Sequence, residues 1–227
     1  MLRVGARTGE RMVVVGPTAT GVSAPPDAIV VGEDQLRSGR RAWIHEEAAG
    51  RRWRISAGSF FQASPEGAEA LIAAARAEIG EGGHRLVDLC CGVGLFAGAL
   101  GAGRSVVGVE RSAAAVADAR ANLADRDARL IKVALARWRP SAADVVVADP
   151  ARSGLGAAAV RAVAATGADR CVLVSCDPGA LGRDAALLHE AGYDHVRSTV
   201  IDLFGHTSHI EVVSGFRFAG AVGKEES

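Results

Sequence analysis

The chain has 227 residues, 49% hydrophobic and 23% charged, with 26 Lys+Arg balanced by 26 Asp+Glu. This composition fits a globular protein of one large or two small domains, and no apolar run approaches the roughly 18 residues that a membrane span requires. Zero net charge argues against a protein that holds nucleic acid by bulk electrostatics alone, while leaving room for a local basic face. The N-terminal Met1-Leu2-Arg3-Val4-Gly5-Ala6-Arg7 has no apolar segment behind its charges, so it does not read as a secretory signal and the expected location is cytoplasmic. Residues 12–15, 28–31, 42–45 and 53–56 are short runs rich in β-branched and aromatic residues, separated by Gly, Pro and charged breaks. They predict a small β-meander, with a loop over 18–26. Ser64-Pro65-Glu66 then supplies an N-cap and a proline at the first helical position, and Leu71, Ile72, Ala75 and Ile79 recur at helical spacing until Gly80.

From residue 85 onward, apolar strands alternate with Ala-rich helices. Strands are predicted over 85–90, 105–110, 129–133, 144–148 and 170–175, and helices over 95–101, 112–124, 155–166 and 179–191. Such alternation implies parallel βαβ units with helices on both faces of the sheet. Two last strands, near 195–202 and 208–218, are joined by Phe204-Gly205-His206-Thr207, which is too short for a parallel crossover. The sheet is therefore expected to end in an antiparallel hairpin, an arrangement seen in the class I (Rossmann-like) methyltransferases. The fold class expected is α/β, with a mostly parallel seven-stranded sheet and a frayed tail over 221–227.

The first strand of this series runs through Asp88 and Cys90 into Gly92-Val93-Gly94-Leu95, and a helix follows. Glycines there allow a sharp turn and close approach of the backbone to a ligand at the helix start. Glu110 ends the next strand, where a carboxylate can accept both ribose hydroxyls of a nucleoside. Ala97 in place of a third glycine is compatible with either a dinucleotide or S-adenosylmethionine. Asp88, two residues before the loop, suits a cationic ligand with a free amino group and weights the reading toward adenosylmethionine.

The fourth and fifth strands end in Asp149-Pro150-Ala151-Arg152 and Ser175-Cys176-Asp177-Pro178, at the sheet edge where open α/β folds bind ligands. Cys90 and Cys171, inside predicted strands, read as small buried hydrophobes, as does Cys91. None of the four cysteines has the paired spacing of a zinc or iron–sulfur site, and no metal is expected. Cys176, in a turn before Asp-Pro-Gly, is the thiol placed for chemistry. A thiolate adding to carbon 6 of a pyrimidine turns carbon 5 into a nucleophile toward a methyl sulfonium, and a base must later remove the carbon-5 proton. Glu211, at the start of the last strand, is the candidate base; a solvated strand glutamate is the competing reading.

Ser59-Phe60-Phe61-Gln62, Asp88-Leu89-Cys90-Cys91-Gly92-Val93-Gly94, Asp149-Pro150-Ala151-Arg152, Val174-Ser175-Cys176-Asp177-Pro178 and the segment Asp202-Leu203-Phe204-Gly205-His206-Thr207-Ser208-His209-Ile210-Glu211 occur in the order found in one family. Together they resemble the motifs of the RNA uracil-C5 (5-methyluridine) methyltransferases of the TrmA/RlmD type, across most of residues 55–215. The resemblance implies Cys176 as nucleophile and Glu211 as base. It implies adenosylmethionine binding at Gln62, Cys90, Gly92, Gly94, Leu95, Glu110 and Asp149, and substrate contacts at Phe61, Asp149 and Arg152. The expected partner is tRNA or rRNA, with no membrane involvement. Cys90 and Leu95 depart from the family's usual aromatic and asparagine, and Ala151 from its second proline. The family's N-terminal RNA-binding barrel and its iron–sulfur cysteines have no counterpart here, which suggests a minimal or N-terminally shortened member. The expected division is a partial central β-domain over 1–62 and a methyltransferase domain over 63–220. Arg37, Arg40, Arg41, Arg51, Arg52 and Arg54, interleaved with Trp43 and Trp53, form either an RNA-contacting group or a solvated strand face. Two other readings stay open, a non-catalytic RNA- or cofactor-binding remnant and an RNA cytosine-C5 methyltransferase.

Overall fold

A computed structural model of the protein describes residues 1–203, 205–207 and 210–221. Phe204, Ser208 and His209 of the last motif, and the expected frayed tail beyond Ala221, lie outside the described residues. β1 (Leu2–Val4) pairs antiparallel with β2 (Arg11–Val15), and β2 pairs in parallel with β3 (Ala28–Gly32). This corrects the expected meander, whose successive strands would reverse direction. A parallel pair needs a long crossover, and residues 16–27 provide it. After a single helical turn, α1 (Glu33–Arg37), β4 (Trp43–Ala48) and β5 (Arg51–Ser56) form a separate antiparallel hairpin. Its two-residue connection puts both Ala49 (φ 52) and Gly50 (φ 68) in the left-handed region, as the right-handed twist of a tight hairpin favours.

α2 (Pro65–Ile79) starts and stops where its caps predict: the Ser64 side chain accepts from the Gly67 amide at 3.0 Å, and Gly80 at φ 60 ends it. The remaining strands are β6 (Arg85–Leu89), β7 (Ser105–Glu110), β8 (Ala128–Lys132), β9 (Val145–Ala148), β10 (Arg170–Ser175), β11 (Tyr193–Ile201) and β12 (Glu211–Phe218). They build one sheet in the order β11-β12-β10-β9-β6-β7-β8, with β12 antiparallel to both neighbours and the other pairings parallel. The helices between them are α3 (Leu95–Leu100), α4 (Ala113–Asn122), α5 (Gly156–Ala165) and α6 (Pro178–Glu190).

Strand periodicity divides the core in two, because successive side chains point to opposite faces. Leu86, Val145, Val147, Val172 and Val174 pack with Leu71, Phe96 and Leu123 from α2, α3 and the end of α4. Val87, Leu89, Val146, Leu173 and Cys171 pack with Val160, Val163 and Leu188 from α5 and α6. No helix among the described residues is long and apolar enough to cross a membrane.

The β4–β5 hairpin joins the first of these cores. Trp53 is fully buried there and donates its indole N–H to the Ala48 carbonyl at 3.0 Å. The expectation that Trp53 could stack on RNA is therefore corrected: the hairpin lays that face on α3 and α4, and the indole fills the space left by Gly98. Trp43 remains partly exposed, with the Arg54 guanidinium 4.4 Å above its ring.

Candidate active site

In a parallel sheet the strand ends share one edge, so Asp88, Glu110, Asp149 and Cys176 are gathered from β6, β7, β9 and β10 by topology alone. β12 runs the opposite way and therefore begins at that edge with Glu211. The last registered pair of β10 and β12 is Ser175 with Val212; Cys176 directly follows the one and Glu211 directly precedes the other.

On the glycine-loop side, β6 ends at Leu89, and Cys90 has left the strand with φ 59. This corrects the placement of Cys90 inside a strand: the turn that carries Gly92 and Gly94 starts one residue earlier than the apolar run suggests. Cys90 is half-buried, with its thiol pushed up to about 12 chiefly by burial. Cys91 and Cys171 are buried, as expected. A side chain at Gly92 would point into open space, whereas one at Gly94 would press on Leu123 at 3.0 Å. The Glu110 carboxylate fastens the loop to β7, accepting from the Gly92 amide at 3.1 Å and from the Arg111 and Ser112 amides at 2.7 Å each. Asp88 is completely buried beneath it. One oxygen accepts from the Ala97 amide at 2.8 Å, while the other has no partner, and burial pushes the carboxyl up to about 8. Leu95 packs into the core, which leaves only its backbone to face a ligand.

The other half of the edge is a cluster of opposed charges. Asp149 is pushed up to about 7, first by burial and then by the Glu211 charge. Gln62 donates its amide to Asp149 at 3.3 Å, and Phe61 leans on Trp53 with ring centroids 6.4 Å apart. Burial raises the Glu211 carboxyl, and the Arg152 guanidinium opposes the rise. The half-buried Cys176 thiol is raised by burial and then by Glu211, and again Arg152 pulls the other way. The Glu211 and Arg152 charges thus both act on the Cys176 thiol at the edge where the glycine loop lies.

Two acids that the sequence reading did not single out hold this arrangement. Asp184 of α6 accepts from the Leu155 and Gly156 amides at 2.6 and 2.9 Å, fastening the loop that carries Arg152. Asp118 of α4 fastens the segment before Gln62. The available signal was an acid on the inward face of an Ala-rich helix, which has meaning only once the facing segment is known. The six arginines do not form one open patch. Arg51 pairs with Asp125, Arg52 with Glu10 and Arg54 with Asp118, at 2.6–2.8 Å. Arg37 lies 3.8 Å from Glu33, and Arg40 bonds Gln35.

No family model matches the chain. An uncharacterized RNA methyltransferase of Streptomyces coelicolor is 36% identical over 221 residues, covering 92% of this chain and 47% of that protein. A second protein so named, from Thermosynechococcus vestitus, is 34% identical over 247 residues, covering 94% of this chain and 55% of its own length. The chain is homologous to these named RNA methyltransferases. It spans about half the length of the curated relatives it matches. Among solved structures, a Pyrococcus abyssi tRNA (uracil-54, C5)-methyltransferase in complex with S-adenosyl-L-homocysteine superposes with a TM-score of 0.76 and 25% identity. The match covers 95% of this chain and 57% of that one. An M. jannaschii protein, TYW2 in complex with AdoMet, matches at TM-score 0.58 and 15% identity over 79% of this chain and 88% of its own, which bears on the fold alone. The methyltransferase homologue thus has the class I fold, with the mostly parallel seven-stranded sheet and terminal antiparallel hairpin expected from its sequence.

Proposed function

We propose that this chain carries the catalytic part of an adenosylmethionine-dependent RNA methyltransferase acting on carbon 5 of a uridine in tRNA or rRNA. The observation that carries the reading is that Cys176 and Glu211 flank the last registered pair of β10 and β12, with the Arg152 charge acting on both. The residues also fit the donor. The buried, unpartnered oxygen of Asp88 suits an ammonium group once the carboxyl gives up the proton that burial favours, open space at Gly92 suits close backbone approach, and Glu110 sits where ribose hydroxyls are bound in this fold. Gln62, Asp149 and the backbone from Cys90 to Leu95 would complete that pocket. Bound there, adenosylmethionine supplies an electrophilic methyl group for carbon 5.

The chain's own residues account for the rest. Cys176, as thiolate, adds to carbon 6 of a uridine flipped out of its stack, and the electron pair released makes carbon 5 nucleophilic. Arg152 stabilises the thiolate and the charge that moves from it onto the base. After methylation carbon 5 carries both a methyl group and a proton. Glu211 takes that proton, and the returning electron pair expels the Cys176 thiolate. A carboxyl raised by burial is a stronger base than an exposed one, which suits this step. Phe61 and Asp149 border the space for the base. We place the domain boundary near Gln62, between the N-terminal β-segment and the methyltransferase sheet.

The test uses RNA containing 5-fluorouridine, whose carbon-5 fluorine cannot leave as a cation. The chain with adenosylmethionine is expected to form a covalent complex that persists on a denaturing gel, and Cys176→Ala is expected to form none. An undiminished complex with Cys176→Ala would remove the thiol from the mechanism. With ordinary RNA, Glu211→Gln should accumulate the methylated adduct and lower turnover by about 10²-fold or more, the usual loss for a missing general base. Absence of adenosylmethionine binding by calorimetry would favour a non-catalytic remnant instead.

A further inference from the structure

α4 presents two buried polar residues one turn apart, Asp118 and Asn122, in a helix otherwise built largely of alanine. Neither belongs to the site described above, yet both reach toward it. One Asp118 oxygen accepts from Arg54 Nε at 2.8 Å and Ser56 Oγ at 2.7 Å; the other accepts from the Ser56 amide at 2.7 Å and Ser59 Oγ at 2.6 Å. Four bonds fill the acceptor sites of a carboxylate, so its position and those of its donors are mutually determined. The turn between Ser56 and Ser59 is closed by a Ser59 amide bond to the Ser56 carbonyl at 3.0 Å, and Arg3 caps the Ser59 carbonyl at 2.6 Å. The chain leaves this turn through Phe60 and Phe61 to Gln62, whose amide meets Asp149.

Asn122 makes the complementary tie. Its amide donates to the Val93 carbonyl in the glycine loop at 2.9 Å and to the Arg54 carbonyl at 3.0 Å, and its oxygen accepts from the Arg54 amide at 2.8 Å. One helix face therefore holds both the glycine loop and the strand that leads to Gln62. Burying a carboxylate is unfavourable unless it is fully paired, so the four donors around Asp118 must all keep their places for it to remain buried.

We propose that Asp118 is a positioning residue for the methyl-donor pocket. Through Ser56 and Ser59 it aims the segment that ends in Gln62, and so sets the Gln62 amide against Asp149. The inference rests on the adenosylmethionine reading above, and the experiment separates the two. Calorimetry with adenosylmethionine is applied to the whole chain and to Asp118→Asn, Gln62→Ala and their double variant. Each single variant is expected to bind about tenfold more weakly with unchanged stoichiometry, and the double variant no more weakly than either, because both act through one contact. Ser59→Ala removes a single bond to Asp118 and is expected to weaken binding about threefold, which keeps the proposal testable if Asp118→Asn does not fold. Glu69→Gln, which breaks a surface ion pair between the N-terminal segment and α2, should leave affinity unchanged. A lower active fraction at unchanged affinity in the variants, or losses that multiply to about a hundredfold in the double variant, would reduce Asp118 to a structural residue. If the unaltered chain binds no adenosylmethionine, the donor reading fails by itself. Hydrogen exchange at the Ser56 amide, bonded to Asp118, and at the residue-59 amide, bonded to the Ser56 carbonyl, then decides the positioning claim: Ser59→Ala should speed it, and unchanged exchange overturns the claim.

Discussion

Cys176 stands between two charges of opposite sign, and its titration should report both. Burial and Glu211 raise the thiol above its ordinary value, whereas Arg152 lowers it. Only the thiolate reacts with an alkylating agent, so the rate of Cys176 modification by iodoacetamide against pH measures that balance. Arg152→Ala should shift the midpoint upward, and Glu211→Gln should shift it downward. Shifts in the same direction would mean that the two groups do not act on the thiol as described. The readout is clean because Cys91 and Cys171 are buried and Cys90 is pushed up to about 12. Nothing in the sequence specified these signs. Cys176 and Glu211 could be marked as chemistry-bearing residues, but the charge felt by each depends on which strand lies beside which.

At the scale of elements, α3 meets the β4–β5 hairpin closely at one point, Gly98 against Trp53. Gly98 lies inside α3, where alanine would ordinarily gain about 1 kcal/mol in helix propensity. A Cβ there would sit 2.6 Å from the Trp53 ring and 3.0 Å from Leu123, both in the packed core. Overpacking of this kind costs about 1–3 kcal/mol, so the steric term exceeds the propensity gain. Gly98→Ala is expected to lower the urea midpoint; a stabilised variant would show that the hairpin docks more loosely than the contact implies. Elements with strong local signals were legible before the fold was known. Ser64-Pro65 and Gly80 delimit α2, and the short final link specifies an antiparallel hairpin. β1, α1 and the parallel pairing of β2 with β3 were not legible. Short segments carry little periodicity, and strand partnership is decided by the crossover and not by the strands themselves.

At the scale of the whole molecule, the gathered carboxyls bias stability toward acid. Asp88 at about 8 and Asp149 at about 7 hold protons in the folded chain that an unfolded carboxyl, with a pKa near 4, has released. Their contribution is complete below about pH 4 and is lost as pH rises toward 8, since the folded state then binds the extra protons. Glu69 and Asp125, held at about 2 by Arg7 and Arg51, act in the opposite sense as pH falls, but they are exposed and screened. Thermal midpoints should therefore decline between pH 5 and pH 8.5, and Asp88→Asn should flatten that decline by raising the midpoint at pH 8.5 more than at pH 5. An equal effect at both values would deny Asp88 a proton in the folded state. The neutral total charge conceals a related asymmetry: residues 1–62 hold 9 Arg against 6 acids, and residues 63–227 hold 17 Lys+Arg against 20. Among the described residues six of those nine arginines pair with acids, and three of them, Arg7 with Glu66 and Glu69, Arg51 with Asp125 and Arg54 with Asp118, join the two halves, so the excess is partly internal. The sequence alone determined the alternation of strand and helix, the glycine turn, and the strand tips on which chemistry-bearing residues stand, because periodicity and caps are local. Only the tertiary structure decided that Trp53 is core, that Asp88 keeps one oxygen unpaired and that Asp118 fastens the segment leading to Gln62. Burial and hydrogen-bond partnership are relations between segments distant in the chain, and no single segment contains them.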